Sequence, residues 1–205
     1  MKSALSNFGT TTIDNYTGKT LFLLHGTGGT ERDFLFLDEV LHKQFTLVGL
    51  RGNVDENGMS RFFKRHSEGV FDQKSIREES GKLGQFISEW MNKYSVNPKD
   101  TVLLGYSNGA NILLSTLFLY PDNLQTLILL HPMLPLDPPN GLDLSGKKVF
   151  VSYGLNDTMI TPGASKNVAT VLVKHGATVA LRNYPGGHGL SRQEIDDAVE
   201  FIKNC

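Results

Sequence analysis

Gly105-Tyr106-Ser107-Asn108-Gly109 stands between a short apolar run, Thr101-Val102-Leu103-Leu104, and a long apolar-periodic stretch from Ala110 to Tyr120. The run reads as a strand and the stretch as a helix, so the pentapeptide is the turn that joins them. A serine at such a turn sits in strained backbone geometry, with its hydroxyl raised over the end of a sheet. The two glycines keep side chains out of a turn too tight to hold them.

Five further apolar runs follow the same logic: 20–24, 45–50, 127–130, 149–153 and 179–184. Continuous apolar runs of this length suit strands covered on both faces, as in a parallel sheet. Between them lie helical patterns with recognisable ends. Ser75 with Glu78 reads as a capping box, followed by Leu83, Phe86, Ile87, Trp90, Met91 and Tyr94 on one face. Thr161-Pro162 reads as a cap and first helical residue, with Gly176 as the stop. Ser191 with Glu194 makes a second capping box, and a helix signal begins at Thr30. Strands alternating with helices imply right-handed crossovers and an α/β fold. The expectation is a mostly parallel sheet of about six to seven strands flanked by helices. A chain of 205 residues is expected to form one domain, 1–205, with too little left over for a separate lid domain.

Two segments lack periodicity. Residues 51–74 form a loop that is long for a structureless connection, the kind usually functional or disordered, and 131–147 carry Pro132, Pro135, Pro138 and Pro139. Both follow strands and so emerge at the carboxyl edge of the sheet, where open α/β folds bind ligands.

Composition narrows the function classes. A net charge of −1 gives no electrostatic reason to expect nucleic acid or an anionic membrane as partner. No stretch approaches the ~18 uncharged apolar residues of a membrane span, and the first eight residues lack a signal-peptide core. The single cysteine, Cys205, permits neither an internal disulfide nor a cysteine-rich metal site. The expectation is a cytoplasmic protein with neither cofactor nor metal and no integral membrane association.

A serine hydroxyl needs a base within hydrogen-bond reach. Of six histidines, His188 lies in Gly186-Gly187-His188-Gly189, directly after the last strand run and before the last helix. A surface-loop histidine is the plainer reading of that stretch, and the upstream serine turn tips the choice towards a base. The base needs a carboxylate to hold its tautomer. Asp157 follows the run 149–153, whereas its rivals Asp137 and Asp143 lie in the proline-rich connection. Acyl transfer also needs backbone donors for an oxyanion. Leu24-His25-Gly26-Thr27-Gly28-Gly29 ends a strand in a glycine turn that supplies one from Thr27, and Asn108 supplies the other. A phosphate-loop reading of that turn fails because Glu31 occupies the third glycine position and no Gly-Lys-Ser/Thr follows. His25 reads as a brace for the turn.

With these elements in order, the chain resembles the α/β-hydrolase superfamily, and within it the phospholipase/carboxylesterase family. That family includes acyl-protein thioesterases and small bacterial carboxylesterases. Leu24–Gly29 and Gly105-Tyr106-Ser107-Asn108-Gly109-Ala110-Asn111 carry the match. Arg51-Gly52-Asn53-Val54, Arg61-Phe62-Phe63 and Glu68-Gly69-Val70-Phe71-Asp72 are similar to a bacterial subgroup. The resemblance implies an α/β-hydrolase fold and a catalytic order Ser107, Asp157, His188, which favours Asp157 over its rivals. Tyr106 departs from other members with little expected effect. Asn108 stands where many thioesterases have glutamine, and Ser107 is not the cysteine of dienelactone hydrolases.

The resemblance implies a serine hydrolase acting on carboxylic esters of small or medium acyl chains. An acyl thioesterase, a lysophospholipase and a non-catalytic small-molecule receptor are the alternatives. Met59, Phe62, Phe63, Met133, Leu134 and Met159 are candidates for an apolar substrate pocket, and Arg61 for contact with a substrate carboxylate or with a buried acid of its own chain. An equally weighted reading has Phe62 and Phe63 anchoring their loop to the core. A small-molecule ester is the expected partner, and a homodimer is possible by analogy with related carboxylesterases.

Overall fold

Apolar residues occupy consecutive positions in the strand runs because both faces of the central sheet are covered. Alternate side chains point to opposite faces. Phe22, Leu24, Val48, Leu50, Leu103, Leu127, Leu129 and Val151 enter one core, while Leu21, Leu23, Leu47, Val102, Leu104, Ile128, Leu130 and Phe150 enter the other. The computed structural model describes residues 3–15 and 17–204. Cys205, the sole thiol, lies outside the described residues, as do the first two residues of the N-terminus.

The elements in chain order are β1 (Gly9–Ile13), β2 (Thr20–Leu24), α1 (Leu37–Val40), β3 (Thr46–Arg51), β4 (Val54–Glu56), β5 (Met59–Arg61), β6 (Arg65–Ser67), β7 (Val70–Phe71) and α2 (Gln73–Tyr94). They continue with β8 (Thr101–Tyr106), α3 (Asn108–Leu119), β9 (Thr126–Leu130), β10 (Lys148–Gly154), α4 (Pro162–Lys174), β11 (Thr178–Tyr184) and α5 (Arg192–Lys203). Seven strands form one sheet in the order β1-β3-β2-β8-β9-β10-β11. Among the described residues, only the edge pair β1–β3 in this sheet is antiparallel. This is the α/β-hydrolase fold. Residues of α2, α3 and α4 cover one face, and residues of α1 and α5 the other.

The chain leaves β2 for β3 on one side and returns to β8 on the other. Winding direction therefore reverses at the β2–β8 boundary, the switch point where crevices open above carboxyl strand ends.

Several expectations need correction. The seventh strand, β1, carries Gly-Thr-Thr-Thr-Ile and is mostly exposed, so it has no continuous apolar run to announce it. Residues 51–74 are not structureless: they fold into two antiparallel hairpins, β4–β5 and β6–β7. The helix expected from Thr30 is mostly a series of turns ending in the four-residue α1. The Glu31 carbonyl presses onto β3 there, so closely that a Cβ at Gly49 would lie 1.7 Å from it.

Ser75 is not the cap of α2. Asp72 is, accepting from the Ser75 N–H at 3.0 Å, while Ser75 Oγ accepts from the Lys64 N–H at 3.0 Å. The helix therefore starts one turn earlier and its cap secures the second hairpin. Its apolar face is buried as expected except Tyr94, whose ring packs at a tilt against Trp90 and stays exposed. Thr161-Pro162, Gly176 and the Ser191–Glu194 box occupy the positions expected for them.

Candidate active site

The turn between β8 and α3 has the geometry its glycines allow. Ser107 has φ 51° and ψ −110°, a backbone conformation that L-residues seldom adopt. A Cβ at Gly105 would lie 2.5 Å from the Gly109 carbonyl carbon, and one at Gly109 would lie 2.4 Å from the Leu24 carbonyl oxygen. Any side chain at either position would push the helix off the sheet. The Ser107 N–H donates to the Leu130 carbonyl at 2.8 Å, which fixes the turn to the neighbouring strand end.

His188 Nε2 lies 3.0 Å from Ser107 Oγ, and its Nδ1 lies 2.7 Å from Asp157 Oδ2. The loops after β10 and β11 meet because their backbones are joined. The Leu155 N–H donates to Tyr184 O at 2.7 Å and the Asn156 N–H to Gly186 O at 3.0 Å. Asp157 is aimed by two further bonds, as its Oδ1 accepts from the N–H groups of Met159 and Ile160, both at 2.9 Å. Burial pushes the Asp157 carboxyl upward, but the bonds from His131 and His188 outweigh it and hold the group below the usual aspartate range. Asp137 and Asp143 are exposed, and Asp143 bonds the Ser145 N–H.

Two features near these three residues had no clear sequence signal. Tyr106, which sequence reasoning set aside, donates its hydroxyl to the His188 carbonyl at 2.8 Å, and its ring packs 5.3 Å from the His188 ring. Burial pushes its phenol up to about 12. His131, also passed over, is buried, and its Nδ1 lies 2.8 Å from the same Asp157 Oδ2. A histidine ending a strand at a proline-rich loop gives no local indication of partners 26 and 63 positions away.

The glycine turn after β2 lies beside the serine. His25 braces it as expected: Nδ1 donates to Gly26 O at 2.5 Å and Nε2 accepts from the Gly52 N–H at 3.0 Å. That pattern fixes one neutral tautomer, and burial pulls the ring below the ordinary histidine range. The Gly28 N–H is tied to Ser60 O at 2.9 Å, so the β4–β5 hairpin fixes the turn from above. Thr27 and Asn108 both border the pocket that contains Ser107 and His188. As the first residue of α3, Asn108 has an N–H with no acceptor inside the helix.

The pocket over Ser107 is a shallow cavity of ≈ 40 Å³. Arg61, Met133 and Met159 line it, as expected, together with Arg65, Glu68, Phe71 and Ile160. Met59, Phe62 and Phe63 do not. Met59 packs beside Gly28 outside the pocket wall, 39% exposed. Phe62 and Phe63 are completely buried in the core, where Phe62 lies 4.8 Å from the His25 ring and Phe63 5.1 Å from that of Phe71. The reading of these two as anchors is therefore the right one. Arg61 is almost wholly buried and donates to Thr27 Oγ1 at 2.6 Å and Phe63 O at 3.3 Å, with Glu56 at 3.7 Å. Burial lowers its pKa from the usual arginine value.

A larger hollow of ≈ 320 Å³ beside Trp90 and Tyr94 lies at the opposite, amino end of the strands. None of Ser107, Asp157 and His188 lines it. Among the described residues, His131, Asp157 and His188 place ligand atoms within 4.8 Å of one another, the spacing of a metal site. Both ring nitrogens instead face one carboxylate oxygen at direct hydrogen-bond distance, which leaves no gap for an ion. No helix among the described residues is long and apolar enough to cross a membrane.

A family model described as phospholipase/carboxylesterase matches residues 11–205. MhqD of Bacillus subtilis (strain 168), named provisionally as a hydrolase, is 42% identical over 185 residues, covering 90% of this chain and 92% of that protein. The crystal structure of a Bacillus cereus carboxylesterase superposes with a TM-score of 0.90 at 36% identity, covering 96% of this chain and 94% of that one. The structure of YahD with malic acid superposes with a TM-score of 0.88 at 26% identity, covering 96% and 98%.

Proposed function

Because the chain belongs to the phospholipase/carboxylesterase family of α/β hydrolases, we propose that it is a serine esterase with Ser107 as nucleophile, His188 as base and Asp157 as the orienting acid. One observation carries this reading: the continuous contact Ser107 Oγ to His188 Nε2 to Asp157 Oδ2, at 3.0 and 2.7 Å. Ser107 Oγ attacks the ester carbonyl as its proton passes to His188 Nε2. The negative charge that develops on the carbonyl oxygen is held by the N–H groups of Thr27 and Asn108. Collapse expels the alcohol, which takes the proton from His188. Water then attacks the acyl-enzyme, its proton going to His188, and the acid leaves as Ser107 regains its proton.

The small cavity supports a short acyl group rather than a long chain. Arg61 and Arg65 on its wall favour a substrate bearing a carboxylate, with Glu56 and Glu68 keeping the two guanidinium groups apart and oriented. The malic acid in the related YahD structure points the same way. Labelling with a fluorophosphonate probe tests the assignment: Ser107→Ala abolishes it, and labelling that persists at the wild-type rate refutes the nucleophile. A panel of esters and thioesters of increasing acyl length then sets the preference between the two leaving groups.

A further inference from the structure

Behind the triad stands a second histidine that the mechanism does not use. His131 follows β9 at φ 51° and is buried, with its N–H tied to Ser152 O at 3.0 Å. Its Nδ1 lies 2.8 Å from Asp157 Oδ2, and its Nε2 lies 3.2 Å from Glu194 Oε1. Glu194 is itself immobilised. Its Oε1 accepts from Ser152 Oγ at 2.5 Å, and its carboxylate closes the capping box of α5 with Ser191. A neutral imidazole has one N–H and can donate to one of these carboxylates only, whereas the imidazolium donates to both.

We propose that His131 is a positioning residue for the Ser107–His188 pair, an imidazolium clamped between Asp157 and Glu194 that takes a share of Asp157's charge and sets a like charge beside His188. The inference rests on the serine mechanism above. Asp157 Oδ2 serves both rings at once, so neither ring receives the whole of its charge. The two rings cross at 86° with centroids 5.2 Å apart. A proton on His188 therefore meets a second cation at close range, and like charges at that distance oppose protonation.

The titratable groups that face His131 among the described residues fit this arrangement. Asp157 comes from the loop after β10, Glu194 from α5 and His188 from the loop before α5. Tyr106, at the end of β8, presents its ring edge-on at 6.0 Å, and its buried phenol stays neutral. Burial works against charge on His131, yet the bonds to Glu194 and Asp157 outweigh it and hold the ring above the ordinary histidine range.

The test is the pH profile of kcat/KM with a neutral short-chain ester. Asparagine suits position 131, since it tolerates a positive φ and keeps a neutral donor for Asp157. In His131→Asn the acid limb moves to higher pH by about one unit. A limb that stays in place or moves to lower pH overturns the proposal, and leaves His131 as a structural brace. Should that variant fail to fold, Glu194→Gln gives the same reading. Glutamine preserves the capping box but cannot hold a proton on His131, so the limb again moves up. NMR titration of the His188 ring in a Ser107→Ala background separates this inference from the nucleophile assignment. There the His131→Asn change moves the ring's midpoint upward whether or not Ser107 is the nucleophile, and an unmoved midpoint overturns the role of His131 alone.

Discussion

Arg61 joins the glycine turn after β2 to the pocket over Ser107 through a single side chain. Its guanidinium reaches Thr27 Oγ1 and the Phe63 carbonyl, and one edge borders the cavity over Ser107. Removing it does not strand Glu56, which keeps Arg65 at 2.9 and 3.1 Å. Arg61→Ala should therefore leave a folded enzyme. Under the carboxylate reading it raises KM for anionic esters by roughly tenfold more than for neutral esters, the scale of one lost charged hydrogen bond. Steady-state kinetics with matched neutral and anionic esters measure this, and equal changes in both would remove Arg61 from substrate recognition. The site candidates that sequence alone could name were those with a local reason: Ser107 between glycines, His188 between glycines, and Asp157 beyond a strand. His131 and Tyr106 lacked one, because their partners arrive from remote parts of the chain.

Among the elements, the two hairpins of residues 51–74 are where sequence reading was weakest. Strands of two or three residues carry too few side chains to reveal alternation. Their stability comes from Phe62 and Phe63, which enter the main core beneath the hairpins, and from the Asp72 cap that follows them. The long central strands were legible because burial on both faces demands unbroken apolar runs, while exposed β1 had no such demand. If Phe62 anchors the hairpins, Phe62→Ala costs about 3–5 kcal/mol of stability, the usual range for emptying a buried aromatic site. Urea unfolding measures the loss. A cost under about 1 kcal/mol would mean that the site collapses without it.

For the whole molecule, the buried group of Asp157, His131 and Glu194 links stability to pH. His131 titrates above its unfolded value, so its contribution is complete below about pH 6.5 and is lost as pH rises through the raised value. Asp157 titrates below its unfolded value, so its contribution is present above about pH 4 and is lost as pH falls through the lowered value. The wild-type melting temperature should thus be highest in mildly acidic solution and decline on the alkaline side. Each ~1 kcal/mol lost corresponds to about 2–4 °C in a chain of this size. Calorimetry across pH 5–9 checks this, and His131→Asn should lack the alkaline decline.

The pairing of β2 with β8 has one more consequence. Thr20 lies against Thr101 and Leu24 against Gly105, so neighbouring strands are separated by some eighty positions along the chain. Contacts this distant form slowly, because the intervening loop must be closed before any pairing rewards it. The glycine turn after β2 meets the serine turn after β8 only once that closure is complete. If Ser107 is the nucleophile, recovery of probe labelling during refolding would time the joining of the two halves of the sheet, making that serine a clock for a slow contact in the fold.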